Sequence, residues 1–286
     1  MTDRALVLGG GGPVGIAWET GVLAGLADFG ALVTTIDFVL GTSAGSFVGA
    51  QLALGQPPAK MFEAQIALGR AESEGGGQGP KFDPSPFIAI AAKLPTDREP
   101  SEAERRAFGD LARGAETMPM ETYLSIFAPL TRQEPAFPAH FGCTAVDIES
   151  GAFHIFRAGD DAPLSHAVAA SCAVPGIFPP PPILGRRWMD GGVRSSLSID
   201  AAAGHRRVLT LAVVTPLSGP IIAGQLARET AAVEAAGGQA LVLTPDAASL
   251  AVFPTNLMNA KGRAAIAEAG FAHGKREAAR IGDFLS

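Results

Sequence analysis

Short apolar runs alternate with longer stretches of helical spacing in the first and last thirds of the chain. Apolar runs bounded by glycine or polar residues are typical of strands, and recurrence every three to four residues indicates helices. The predicted strands are Leu6–Leu8, Phe38–Leu40, Arg207–Val214 and Gln239–Leu243. A further pair of strands is predicted at His140–Asp147 and Ala152–Phe156, with a turn at 150–151. The predicted helices are 15–29, 43–54, 222–236 and 260–284. This alternation predicts an α/β fold in which helices cover both faces of a mainly parallel central sheet.

Residues 56–137 follow a different pattern, without strand signals. Pro57-Pro58 predicts the start of a helix and Gly69 its end, and a flexible glycine-rich loop is expected over 74–80. Ser101-x-x-Glu104 is a capping box, and Pro119 predicts another helix start. We therefore expect one domain over residues 1–286 with a helical insertion at 56–137. The insertion is expected to be either a lid or acyl-chain wall over the site, or a plain peripheral layer.

Composition restricts the class of protein. The chain has 286 residues, 47% of them hydrophobic, which suits one α/β domain with a large core. Its formal net charge of −6 argues against a nucleic-acid partner and against strong attraction to anionic membranes. Cys143 and Cys172 are expected to be buried thiols, and no metal-ligand spacing appears. With no secretory signal, and prolines interrupting the apolar stretch 167–184, we expect a cytoplasmic protein that is at most peripheral to membranes.

A nucleophile elbow follows the second predicted strand. Gly41-Thr42-Ser43-Ala44-Gly45 has the G-x-S-x-G form, in which a serine occupies a sharp, strained turn between a strand and a helix. Glycines are needed on both sides because larger residues would clash with the neighbouring strand and helix. The serine lies at a helix N-terminus, where unpaired N–H groups favour a developing negative charge. Ser43 is therefore the candidate nucleophile.

A glycine-rich loop follows the first predicted strand. Gly9 to Gly12 are consecutive, and Gly15 begins the predicted helix. Successive glycines let the backbone approach a ligand and direct several N–H groups at one point. Such a nest holds either a phosphate or the oxyanion of an ester hydrolysis intermediate. Four glycines exceed what a tight turn needs, which favours a functional role.

A third motif is Asp190-Gly191-Gly192, which by itself indicates a turn. Together with the other two motifs it acquires a second interpretation. A serine nucleophile needs a base, and an aspartate presented on a glycine turn would be able to reach it.

The three motifs, in this order, resemble the patatin-like phospholipase family over roughly residues 4–215. The resemblance implies a three-layer α/β fold and lipid acyl hydrolysis of the phospholipase A, lysophospholipase or esterase type. The family's G-x-G-x-x-G loop corresponds to Gly10, Gly12 and Gly15, and its nucleophile elbow to Gly41–Gly45. Its D-G-[AG] motif corresponds to Asp190–Gly192, and the segment that leads into the aspartate to Ala170–Pro180. It implies an oxyanion hole formed by Gly10, Gly11 and Gly12.

The implied mechanism is a serine–aspartate dyad. Ser43 attacks the ester carbonyl, and Asp190 takes the serine proton without an intervening histidine. Burial of Asp190 among apolar residues is expected to raise its pKa and make it a better base. No cofactor and no metal are implied. The implied partner is a lipid or fatty-acyl ester substrate. The resemblance is also compatible with transient contact with a membrane surface, and it does not determine the oligomeric state.

One position departs from the family. Val14 stands where the family usually has Arg or Lys, and Pro13 beside it is also unusual. A cation there would attract a phosphate, so its loss predicts that neutral esters are hydrolysed better than anionic phospholipids. On this interpretation, Val14→Arg should shift the preference toward phospholipid.

Three alternatives remain open at this stage. A Ser43–Asp190–histidine triad would use His205 or His273, although His273 lies among charged residues and is expected on a solvated helix face. A lipid-binding protein of the same fold would lack turnover. A dinucleotide-binding oxidoreductase would use the glycine loop for a pyrophosphate, but its acidic residue is expected at the end of the second strand, whereas Asp37 precedes that strand.

Overall fold

The computed structural model describes residues 3–28, 30, 36–75, 85–130, 136–259 and 261–286. Within them, eight strands form a sheet in the order β5-β6-β3-β2-β1-β7-β8, and β4 pairs with β3 outside this path. The strands are β1 (Arg4–Leu8), β2 (Phe38–Gly41), β3 (Phe141–Asp147), β4 (Phe153–Arg157), β5 (Pro182–Ile183), β6 (Arg186–Asp190), β7 (Arg207–Leu211) and β8 (Gln239–Leu243). The centre from β3 to β8 is parallel, so the predicted mainly parallel α/β sheet is confirmed.

Helices cover both faces of this sheet. They are α1 (Gly12–Asp28), α2 (Ala44–Ala53), α3 (Pro58–Gly75), α4 (Ser85–Ala91), α5 (Glu102–Gly114), α6 (Met120–Ser125), α7 (Leu164–Ser171), α8 (Gly219–Ala235), α9 (Ala247–Val252) and α10 (Arg263–Leu285). Alternate residues of β1 serve two cores: Leu6 and Leu8 pack with α1, α2 and α10, whereas Ala5 and Val7 pack on the α8 side. Strands buried on both faces explain the continuous apolar runs in the sequence.

Two predicted boundaries near the glycine loop are wrong. Helix α1 begins at Gly12, three residues before the predicted start, so the N–H group of its first residue lies within the glycine loop. Strand β7 ends at Leu211 and not at 214, and Val213 leaves the sheet to pack against the backbone of Gly11. Both differences place more of the chain at the carboxyl edge of the sheet, where ligands of parallel α/β sheets bind.

The described parts of residues 56–137 contain the helices α3 to α6, and the first of these does not end at Gly69. Helix α3 continues to Gly75 because Gly69 is a packing position: a Cβ there would lie 2.5 Å from the backbone nitrogen of Ala264 at the start of α10. The capping box of Ser101 and Glu104 forms as predicted, and α6 begins after Pro119. Residues 76–80 of the predicted loop lie outside the described residues. The choice between a lid and a peripheral layer stays a prediction.

Candidate active site

The sheet brings the elbow and the aspartate together on one edge of β3. Strand β2 pairs in parallel with the first half of β3, Gly41 opposite Cys143. Strand β6 pairs antiparallel with the second half, Asp190 opposite Ala145. Since β4 occupies the other edge of β3, β2 and β6 approach each other end to end along the same edge. Their carboxyl ends stop two β3 residues apart, which places Ser43 and Asp190 at a common gap.

Two threonines and a glycine pack at this gap. The hydroxyl groups of Thr42 and Thr144 are 2.7 Å apart and buried. A Cβ on Gly191 would lie 2.1 Å from the Thr144 hydroxyl oxygen, so only glycine fits beside it. Thr42, which precedes Ser43, and Gly191, which follows Asp190, therefore both pack against the side chain of Thr144 in β3. Sequence reasoning did not find Thr144, because no motif marks it.

Ser43 adopts the strained backbone of a nucleophile elbow. Its φ of 53° and ψ of −119° put a non-glycine residue in a sparsely populated region, at a cost on the order of 1–3 kcal/mol. Helix α2 begins at the next residue, Ala44. The flanking glycines permit the turn, because a Cβ on Gly41 would lie 2.4 Å from the Cα of Ser46 and one on Gly45 would lie 2.1 Å from the carbonyl oxygen of Leu8.

Asp190 is a buried carboxyl group with an unusual pKa. The residue is 4% exposed, and burial raises its pKa from 3.8 to about 7. Two interactions oppose this rise: the hydroxyl of Ser43, and the N–H of Gly192, which donates to Asp190 Oδ1 at 2.7 Å. The rise expected from the sequence is therefore present. A base with a pKa near neutrality is well matched to proton transfer at physiological pH.

The glycine loop lies directly against the elbow. A Cβ on Gly10 would lie 3.5 Å from the Cβ of Ser43, and the N–H of Gly45 donates to the carbonyl of Gly9 at 3.0 Å. The three glycines implied for the oxyanion hole differ, however. The N–H of Gly10 donates to the carbonyl of Ser196 at 2.7 Å and is thereby occupied. Within the described residues the N–H groups of Gly11 and Gly12 have no such partner.

Gly12 has a φ of +57°, and it begins α1. Its free N–H group therefore combines the nest of the glycine loop with the positive end of a helix. The motif glycine Gly15 serves packing instead, since its Cβ would lie 3.1 Å from that of Ala44. The oxyanion role thus stays a prediction, and its geometric candidates are the N–H groups of Gly11 and Gly12.

A third segment holds both candidate catalytic residues. At the end of α7, the Ser171 hydroxyl oxygen accepts a hydrogen bond from the N–H of Ser43 at 3.0 Å. The Cys172 thiol contacts the carbonyl oxygen of Ser43 at 3.1 Å, and the carbonyl of Ala173 accepts from the N–H of Asp190 at 3.0 Å. The sequence marked this stretch only through the family resemblance and predicted no role for Ser171 or Cys172.

Val14 lies near the start of α1 and is a core residue. Its side chain is fully buried in the core with α1, and its N–H lies 3.4 Å from the carbonyl of Leu257. The buried valine itself offers no charge and no exposed surface to a phosphate. The preference for neutral esters, and the gain expected from Val14→Arg, stay predictions.

The two histidines considered for a triad lie elsewhere. His205 stacks on Phe38, 5.5 Å between ring centroids, at the opposite end of β2 from the elbow. His273 is 4% exposed and packs 6.0 Å from Trp18, so the predicted solvated helix face is wrong at this residue. Burial lowers the pKa of His273. Among described residues, the Asp190 carboxyl group interacts with Ser43 and Gly192 and with no histidine.

The requirement of a dinucleotide site is also not met at β2. Asp37 lies at the amino end of this strand, where its carboxylate accepts hydrogen bonds from the N–H groups of Asp3 and Arg4 at 2.9 Å. A ribose at the glycine loop would lie at the other edge of the sheet. As for membranes, none of the helices in the described part of the chain combines the length and apolar character needed to span a bilayer.

Comparison with known proteins identifies the family. The family model of patatin-like phospholipases matches residues 6–203, more than half of the chain. The protein therefore belongs to the patatin-like phospholipase family, a family of lipid acyl hydrolases. No curated protein sequence matches the chain significantly.

Two solved structures resemble the chain at low identity. VipD from Legionella pneumophila is 13% identical, with a TM-score of 0.47, covering 99% of this chain and 67% of VipD. ExoU from Pseudomonas aeruginosa, in its complex with SpcU, is 17% identical, with a TM-score of 0.46 and coverage of 99% and 52%. The chain thus spans about half the length of ExoU.

Proposed function

We propose that the protein is a serine hydrolase that cleaves carboxylic esters of lipids with a Ser43–Asp190 dyad. The observation that carries this proposal is the pairing of a strained elbow serine with a buried aspartate whose pKa is about 7. The sheet supports it, because β2 and β6 end at one gap on β3. Membership of the patatin-like phospholipase family supports the class of reaction.

The reaction divides into two steps with balanced proton transfers. In the first, Ser43 Oγ attacks the ester carbonyl while Asp190 accepts its proton, and the N–H groups of Gly11 and Gly12 stabilise the oxyanion. The tetrahedral intermediate then collapses, Asp190 returns the proton to the leaving alcohol, and an acyl-Ser43 ester remains. In the second, Asp190 deprotonates a water molecule that attacks the acyl carbonyl. As this tetrahedral intermediate collapses, Asp190 returns the proton to Ser43 Oγ and the fatty acid is released.

The test is a panel of p-nitrophenyl esters, acylglycerols and phospholipids, assayed with wild type, Ser43→Ala and Asp190→Asn. We expect turnover by wild type and none by Ser43→Ala, and a fluorophosphonate probe should label wild type at Ser43 only. Labelling that persists in Ser43→Ala would remove the assignment. Specific binding of lipid without turnover by wild type would support the alternative of a non-catalytic lipid-binding protein. The same panel decides between phospholipid and neutral ester.

A further inference from the structure

One tripeptide outside the three catalytic motifs contacts the backbone of both members of the proposed dyad. Ser171 accepts from the Ser43 N–H, Cys172 contacts the Ser43 carbonyl, and Ala173 accepts from the Asp190 N–H, at 3.0, 3.1 and 3.0 Å. Building on the proposed function, we propose that this tripeptide, Ser171-Cys172-Ala173, is a positioning element that sets the Ser43–Asp190 geometry. We call it the elbow clamp.

The need for a clamp follows from the strain at Ser43. A residue with φ of 53° and ψ of −119° relaxes toward a commoner conformation unless its surroundings oppose this. Rotation of either peptide plane would turn the N–H or the carbonyl of Ser43 away from its present partner. Side chains that bind both groups therefore hold the strained conformation. Ser171 is 0% exposed, so water does not reach the place of its hydroxyl group. If that hydroxyl were removed, the N–H group of Ser43 would lose its hydrogen bond without gaining one to water.

The carbonyl side of the elbow has a second support from its own helix. Ser46 Oγ donates to the Ser43 carbonyl at 2.6 Å, and its N–H donates to the same oxygen at 2.9 Å. The N–H side has the Ser171 hydroxyl as its partner among the described residues. Loss of the Ser171 hydroxyl should therefore disturb the elbow more than loss of the Cys172 thiol.

The clamp also explains how the carboxyl ends of β2 and β6 are held at a fixed distance from each other. Ser43 follows β2 and Asp190 ends β6, and the two strands are not paired with each other along β3. The end of α7 bridges them from the core side, with Tyr123 anchoring that helix through a 2.7 Å hydrogen bond to the carbonyl of Ala169. A rigid bridge keeps the hydroxyl near the carboxyl group, which is what direct proton transfer requires.

The test uses Ser171→Ala in the 286-residue chain, with Ser165→Ala as the matched control. Ser165 is also a buried serine of α7, but its hydroxyl contacts His166 Nδ1 at 3.3 Å and not the elbow. For Ser171→Ala we expect kcat, and the rate of fluorophosphonate labelling, to fall about tenfold, the scale of one lost hydrogen bond. KM should stay within about twofold, since the clamp acts on the dyad and not on substrate binding.

The pH profile separates positioning from general destabilisation. The Ser43 hydroxyl lowers the Asp190 pKa, so a displaced hydroxyl lets that pKa rise above about 7. The acid limb of kcat/KM should therefore move to higher pH in Ser171→Ala and stay in place in Ser165→Ala. Wild-type kcat with an unmoved acid limb in folded Ser171→Ala would overturn the proposal.

If Ser171→Ala does not fold, a second pair of variants decides. Cys172→Ala removes the thiol at the Ser43 carbonyl, whereas Cys172→Ser keeps a donor there. We expect a loss of kcat of about threefold for the alanine variant, consistent with a weak hydrogen bond, and recovery by serine. Equal kcat in both would overturn the clamp. Absence of Ser43-dependent labelling in wild type is a different result, because it removes the proposed function and the clamp together.

Discussion

Asp190→Asn should make the protein more stable in a pH-dependent manner while it abolishes the proposed activity. The folded state holds the Asp190 proton up to about pH 7, whereas the unfolded chain, with the ordinary pKa of 3.8, loses it about three units lower. Because the folded state binds more protons between these values, the free energy of unfolding falls as pH rises through this window. Below about pH 4 the group costs nothing, and above pH 7 its cost no longer grows.

The size of the effect follows from the two pKa values. Each unit corresponds to about 1.4 kcal/mol, so burial of the ionisable carboxyl group destabilises the fold by about 2 kcal/mol at pH 5 and about 4 kcal/mol at pH 8. Asparagine has no charge to bury, and its side-chain oxygen still accepts from the N–H of Gly192. We therefore expect the stability of Asp190→Asn relative to wild type to be greater at pH 8 than at pH 5 by about 2 to 3 kcal/mol.

Urea unfolding of both proteins at pH 5 and pH 8 measures this difference, with the midpoint and slope fitted together. Asp283→Asn is the control, since it removes an exposed carboxylate of α10. It should show no comparable pH-dependent gain. In parallel, kcat of Asp190→Asn should fall by several orders of magnitude, as when a catalytic unit is broken. A stability difference that is the same at both pH values would refute the raised pKa of the buried Asp190 carboxyl group on which the mechanism rests.

Three further predictions concern the surroundings of the site. Gly41→Ala should lower the free energy of unfolding by about 3 kcal/mol, because its Cβ would lie 2.4 Å from the first turn of α2. The control Gly219→Ala, whose Cβ has nothing within 4 Å, should not, and equal melting temperatures of the two variants would contradict the elbow geometry. His205→Ala and His273→Ala should each keep kcat within about threefold of wild type, and His273→Ala should lower the stability more because His273 is buried. A loss of kcat in either variant as large as that of Asp190→Asn would show a triad in place of the dyad. Val14→Arg should lower the melting temperature sharply, because it buries an unpaired charge. A folded variant whose kcat/KM shifts toward phosphatidylglycerol relative to a neutral ester would support the interpretation of Val14 made from the sequence.

The sequence by itself determined the local features of this protein. The elbow, the glycine loop and the aspartate turn are each written within a few consecutive residues, because glycines at fixed spacing are what their backbones require. The parallel strands could also be predicted, since strands buried on both faces are apolar throughout. Strand β8 was predicted with its observed bounds, and the capping box of α5 likewise depends only on residues three apart.

Tertiary structure decided which of these features meet and which side chains are free to act. That β2 and β6 share one edge of β3 depends on pairing between segments far apart along the chain, Gly41 with Cys143 and Asp190 with Ala145, which no local pattern records. The burial of Val14 and His273 depends on helices packed from other parts of the chain. The occupied N–H of Gly10 depends on Ser196, and the support of the elbow depends on Ser171. A motif names the groups that chemistry needs, but hydrogen bonding and burial are properties of neighbours in space, and only the folded chain supplies those neighbours.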